Sequence, residues 1–263
     1  MAQTTNQVKV LILGDSHIQA LKHAWTKRAG STSGVAFSVH VLARVKNGVD
    51  IGDISLEAAI SMVSALSGKD LVVCGIGGNQ HNVLGIVQHP VPFDVFDVGD
   101  EAMVIAPGVQ CVPNAALSDV FEARLKGTHE ARILEIRRAA KCPVYHLAPP
   151  PPKEDSAHIL KHHGPVFARA GIEEKGVSPA ALRLRLWKVQ SRVLRELCAR
   201  WEVGLVPVPA AAMCPKGFMG REYYADDATH ANAAYGELVL SQLEQLALGR
   251  APARGPENVR ASV

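Results

Sequence analysis

Short, almost continuously apolar runs recur along this chain and alternate with segments whose apolar positions return every three to four residues. Residues 8–13, 37–43, 70–76, 143–148 and 203–208 are runs of the first kind, rich in β-branched side chains. Unbroken apolarity is the mark of strands covered on both faces, whereas a strand with one wet face alternates. Helical patterns between such strands predict an α/β fold with a five-stranded parallel sheet inside a three-layer α/β/α sandwich.

The helical segments carry their own stop and start signals. Residues 18–29 have helical spacing and run into Gly30. Residues 56–66 follow Asp53 and Ser55, both suitable N-caps, and run into Gly68. Residues 117–140 read as helix weakened at Gly127. Ser178 followed by Pro179 predicts a cap and first turn for a long helix ending near Trp201. Residues 232–248 close the pattern as an amphipathic helix with Gly249 beyond it. Trp25, Trp187 and Trp201 fall at helical positions and read as core residues. Two stretches exceed ordinary loop length: residues 81–116, with room for short extra strands, and residues 149–177, which open on four prolines and hold a histidine-rich patch. Both follow the C-terminal ends of strands, the edge where open α/β sheets carry ligands. Residues 1–249 are expected to form one domain, and residues 250–263 a polar tail.

Composition narrows the function. Over 263 residues, 28 Lys and Arg face 25 Asp and Glu. This balance gives no field directed at nucleic acid or an anionic membrane. No apolar run is long enough to span a bilayer, and the polar start at residues 1–7 lacks the form of a signal peptide, so a cytoplasmic location is expected. The five cysteines (Cys74, Cys111, Cys142, Cys198, Cys214) are scattered without a C-x-x-C pair. That pattern suits reduced thiols better than a disulfide framework or zinc site. His158 and His162 have the i, i+4 spacing of a metal pair, but with no neighbouring Cys or carboxylate cluster they read, with His163, as a solvated patch. No cofactor and no metal are expected.

Three short motifs carry candidate chemistry. The first strand ends in Gly14-Asp15-Ser16-His17 just before a helix. Ser16 there has its hydroxyl at the sheet edge and its N–H at a helix N-terminus, a good position for a nucleophile and equally one for a cap. The third strand ends in Gly75-Ile76-Gly77-Gly78-Asn79-Gln80. In a sheet ordered 2-1-3-4-5, Asn79 lies beside Ser16 and its amide can donate to an oxyanion; alone, the motif is an ordinary Gly-Asn turn. The third motif, Asp226-Asp227-Ala228-Thr229-His230, precedes the last helix. A carboxylate three residues ahead of a histidine can hold one ring nitrogen and leave the other facing a serine, or can merely cap the helix. Spacing favours Asp227 over Asp226. Asp15 reads as a structural acceptor for loop amides, and His17 and His81 flank the expected site.

Together these blocks resemble the SGNH/GDSL hydrolase family. Gly14-Asp15-Ser16 matches its first block, Gly77-Gly78-Asn79 its third, and Asp227 to His230 its last; for the second-block glycine Gly48 is the better match and Gly52 the weaker. His17 stands where many members have leucine, and Gln80 where many have aspartate. The resemblance spans about residues 8–248 and implies the flavodoxin-like strand order 2-1-3-4-5. It also implies a catalytic triad of Ser16, His230 and Asp227, with an oxyanion hole formed by the N–H groups of Ser16 and Gly48 and the Asn79 amide. The expected activity is an esterase, a deacetylase-like enzyme releasing a short acyl group from a carbohydrate or similar polar metabolite. An O-acyltransferase with the same triad and a non-catalytic binding domain are the alternatives. Oligomeric state is not legible.

Overall fold

The computed structural model describes residues 7–28, 34–46, 49–96 and 106–249. Gly48, Gly30 and the expected tail at 250–263 lie outside them. The chain runs from β1 (Val8–Gly14) through one 3-10 turn (Ser16–Ile18) into α1 (Gln19–Lys27) and β2 (Val35–Val41). A small hairpin, β3 (Arg44–Lys46) and β4 (Val49–Ile51), precedes α2 (Leu56–Ser64), β5 (Leu71–Gly75) and α3 (Gln80–Gly85). Next come β6 (Phe93–Phe96), β7 (Gln110–Pro113), α4 (Asn114–Leu125), a π-helical turn (Lys126–Glu130), α5 (Ala131–Ala139) and β8 (Val144–Leu147). Three short helices, α6 (Ser156–Lys161), α7 (Pro165–Arg169) and α8 (Ile172–Lys175), lead to α9 (Ala180–Arg200), β9 (Gly204–Val206) and α10 (Ala233–Ala247).

The five main strands form one parallel sheet in the order β2-β1-β5-β8-β9. Counting these strands alone, this is the expected order 2-1-3-4-5. In β1 and β5 alternate side chains enter different cores, as the pleat requires. Leu11, Leu13, Val72 and Cys74 pack with residues of α2, α4, α5 and α9. Val10, Ile12, Leu71 and Val73 pack with α1 and α10 on the other face. Both faces are therefore covered, which explains the unbroken apolar runs.

Close backbone approach fixes α10 against α1. A Cβ at Gly236 would lie 2.1 Å from the Ala20 carbonyl oxygen, a contact no rotamer can relieve. Intrinsic propensity favours alanine over glycine in a helix by about 1 kcal/mol, but overpacking typically costs about 1–3 kcal/mol. Gly236→Ala is expected to lose, with a fall in Tm of several °C in a thermal scan. A Tm equal to or above wild type would show that the helices separate freely.

Several local expectations need correction. Ser55 does cap α2, accepting from the Ala58 N–H at 3.2 Å, but Asp53 instead accepts from the Val41 N–H at 2.7 Å and pairs with Lys22. α2 ends before Gly68, on an αR C-cap at Ala65. Ser178 does not cap α9, because its buried hydroxyl donates to the Val87 carbonyl at 3.0 Å. The helix weakened at Gly127 is continuous through a π-helical turn, an insertion frequent near functional sites. Residues 81–116 hold α3 and the parallel pair β6 and β7. The five cysteines are free. Among the described residues, no helix is long and apolar enough to cross a membrane.

Candidate active site

The C-terminal ends of β1 and β5 are level, with Gly14 paired to Gly75, so the segments leaving them run side by side. Ser16 opens the 3-10 turn, placing its N–H at the start of a helical segment and its half-buried side chain at the sheet edge. Asp15, buried just before it, is the structural acceptor that the sequence suggests. It accepts from the Gly77 N–H at 3.0 Å and from the Arg132 guanidinium at 3.3 Å. One carboxylate thus ties the Ser16 segment to the loop bearing Asn79.

Gly77 is the point where only glycine serves. Its φ is +78°, and a Cβ would lie 2.6 Å from the His129 ring. His129 comes from the π-helical turn and its Nδ1 lies 2.9 Å from Nη2 of Arg132 in the first turn of α5, so the bulge and the helix after it each supply one group bracing this loop. Beneath it, the fully buried His146 places its ring nitrogens 2.8 Å from the Leu147 carbonyl and 2.9 Å from that of Ile76. Asn79 sits exposed at the start of α3 and makes no side-chain cap bond.

The third motif lies across from these two. His230 Nε2 is 3.0 Å from Ser16 Oγ, and His230 Nδ1 is 2.6 Å from Asp227 Oδ2. An ionised carboxylate only accepts, so Nδ1 carries the proton and Nε2 is left to accept from the serine hydroxyl. Asp227 Oδ1 accepts from the Thr229 and His230 N–H groups at 2.8 and 2.6 Å, making the loop an Asx turn. Burial opposes ionisation of Asp227. The bond to His230, the charge of that ring and the two amides outweigh burial and hold the carboxyl well below the usual carboxylate range. Asp226 is exposed and is not a hydrogen-bond partner of His230 among the described residues. The loop is closed by a bridge between Tyr224 and Ala231, and Asn232 caps α10 by accepting from the Ala234 and Tyr235 N–H groups.

His17 packs its ring on that of His230, with centroids 4.7 Å apart. Burial, then the neighbouring His230 and His81 rings, push it down to about 3, so it stacks as a neutral ring. His81 is a packed residue: its N–H and Nδ1 both meet Gln190 Oε1. The histidine patch is not the solvated cluster expected. His158 and His162 stack at 4.3 Å, His158 Nε2 donates to the Ala225 carbonyl at 3.1 Å, and His163 pairs with Glu173. The patch therefore braces the loop ahead of Asp227. Trp201 is buried, as expected of a core residue.

His129, Arg132, His146 and Lys153 complete the surroundings and were not singled out by the sequence. His146 alone had a signal there, a polar residue inside an otherwise apolar strand.

No family model matches the chain, and no curated protein matches it. Solved structures do. A candidate acylhydrolase from Bacteroides fragilis aligns over 92% of this chain and 86% of its own, with TM-score 0.47 and 12% identity. A GDSL-like lipase from Bacteroides thetaiotaomicron covers 95% and 91%, with TM-score 0.43 and 10% identity. An extracellular lipase from Streptomyces rimosus covers 89% and 99%, with TM-score 0.43 and 15% identity.

Proposed function

We propose that this chain is a serine hydrolase of the SGNH/GDSL type that cleaves an ester-linked acyl group. The observation that carries the reading is the unbroken relay from Ser16 Oγ through His230 to Asp227, with bonds of 3.0 and 2.6 Å. His230 Nε2 takes the hydroxyl proton as Ser16 Oγ attacks the ester carbonyl, and Asp227 stabilises the imidazolium that forms. The tetrahedral intermediate then expels the alcohol, which receives that proton. Water, activated by the same imidazole, releases the acid and frees Ser16. The developing oxyanion meets the Ser16 N–H and the Asn79 amide.

Removing one such donor typically costs about a hundred- to a thousand-fold in rate. Asn79→Ala is expected to lose kcat on that scale while its melting curve stays at the wild-type position, because the side chain caps nothing. A folded variant with undiminished kcat would remove Asn79 from the oxyanion hole.

The acyl group is small, such as an acetyl on a carbohydrate or another polar metabolite. This is supported by the space bounded by the neighbours of Ser16 and Asn79. A small cavity of about 30 Å³ lies among His17, Gly78, Ala148, Pro149 and Tyr235. Hydrolysis of nitrophenyl esters of increasing chain length tests this: kcat/KM is expected to fall steeply beyond the shortest acyl groups. A preference for long chains would overturn the substrate reading and leave the triad untouched.

A further inference from the structure

Lys153 sits in the strap that follows the proline run, and its side chain has no exposed surface. Its ammonium donates to the carbonyls of Ala225 and Asp227 at 2.6 and 2.5 Å. It also lies 3.7 Å from Asp227 Oδ1, 3.4 Å from His158 Nε2 and 5.0 Å from the centre of the Tyr224 ring. Every one of these partners either belongs to the loop carrying Asp227 and His230 or braces it. The strap itself is fixed from behind. Arg183 of α9, buried, donates to the carbonyls of Lys153 and Glu154 at 3.0 and 2.8 Å and also to that of Ser178. The Met219 N–H donates to the Pro152 carbonyl at 3.1 Å.

A buried ammonium is costly, and an apolar side chain of similar length would fill the same space without that cost. What the ammonium alone supplies is a grip on the carbonyls of Ala225 and Asp227 and a positive charge beside the carboxylate that orients the base. We propose that Lys153 is a positioning residue: it locks the Asp227–His230 loop to the rigid strap and sets how strongly Asp227 holds the proton of His230. This rests on the reading of Ser16, His230 and Asp227 as a triad.

The sign of the electrostatic part follows from the arrangement. A positive charge beside Asp227 weakens that carboxylate's stabilisation of a neighbouring imidazolium. Removing the charge therefore raises the acid limb of kcat/KM. Lys153 faces Asp227, Asp226, His158 and Tyr224. Burial pulls its ammonium down to about 8 despite the pull of Asp227 and Asp226 upward.

The test uses Lys153→Met and Lys153→Gln with short nitrophenyl esters, following kcat, KM, the pH profile and thermal melting. Lys153→Met is expected to lose about 10- to 100-fold in kcat with KM nearly unchanged, the scale of a displaced catalytic group. Its acid limb is expected to move up by about half a pH unit to one unit. Lys153→Gln keeps a donor without the charge, so it recovers part of kcat and retains the shifted limb. Folded variants with wild-type kcat, or with a lowered Tm and an unmoved limb, would overturn the proposal. The wild-type protein supplies a readout if neither variant folds: kcat/KM is expected to decline as pH rises past about 8, where Lys153 gives up its proton. A profile flat through that region, with both variants unfolded, overturns it too. A wild-type protein that neither turns over esters nor reacts at Ser16 overturns the triad itself, an outcome distinct from all of these.

Discussion

Ser16→Ala is expected to lower kcat by about five to six orders of magnitude while the protein melts at the wild-type temperature. The magnitude follows from the roles that converge on one oxygen. Without Oγ no acyl-enzyme forms, His230 has no proton to accept, and Asp227 has no imidazolium to stabilise. Groups that act as a unit are lost as a unit, and what remains comes from binding and the oxyanion donors. Stability should not follow activity, because the Ser16 hydroxyl bonds only to His230 among the described residues and the 3-10 turn has its own backbone bonds. Ester turnover and a thermal scan on the same sample check both halves of the expectation.

Asp227→Asn carries the second largest effect, a loss of about four orders of magnitude in kcat, and its cause is the placement of one proton. The asparagine oxygen can still accept from the Thr229 and His230 N–H groups, so the Asx turn survives. Its amide NH₂ then faces His230 Nδ1, which must become an acceptor. The ring proton moves to Nε2, the nitrogen 3.0 Å from Ser16 Oγ, and the base is blocked by its own hydrogen. Asp226→Asn, one residue away and exposed, is expected to keep near wild-type kcat. Comparable losses in both variants would show that the loop is disturbed generally, and that the tautomer is not the point at issue.

The strands at the middle of the sheet were legible because they are buried on both faces: β1 sends Val10 and Ile12 into one core and Leu11 and Leu13 into the other, and so reads as an apolar run. Ser16, Asp227 and His230 were legible because local spacing places them: a serine one residue past a strand, and a carboxylate three residues before a histidine. Asn79 was legible only through its strand lying beside the first. What escaped depends on long-range contacts. Lys153 follows a proline run that says nothing of a loop 72 residues further on. His129 gains its place from a π-helical turn, where one added residue in the helical repeat swings it onto Gly77. The capping expectation at Ser178 failed for the same kind of reason. A tertiary acceptor, the Val87 carbonyl, takes a hydroxyl that local rules assign to the helix.

His17 adds a physical detail to the central site. A ring held neutral by burial can lie against His230 without opposing the charge that the proposed reaction places on it, whereas a protonated ring there would destabilise that charge.

The central claim is that Ser16 is an activated nucleophile, and covalent capture tests it most directly. The purified protein would be treated with a fluorophosphonate, digested, and mapped by mass spectrometry, with Ser16→Ala and His230→Ala treated in parallel. The prediction is a single phosphonyl adduct on Ser16 in the wild-type chain, none in Ser16→Ala, and labelling slowed by orders of magnitude in His230→Ala. A folded wild-type protein that stays unmodified at Ser16, or takes the adduct equally fast without His230, would contradict the account.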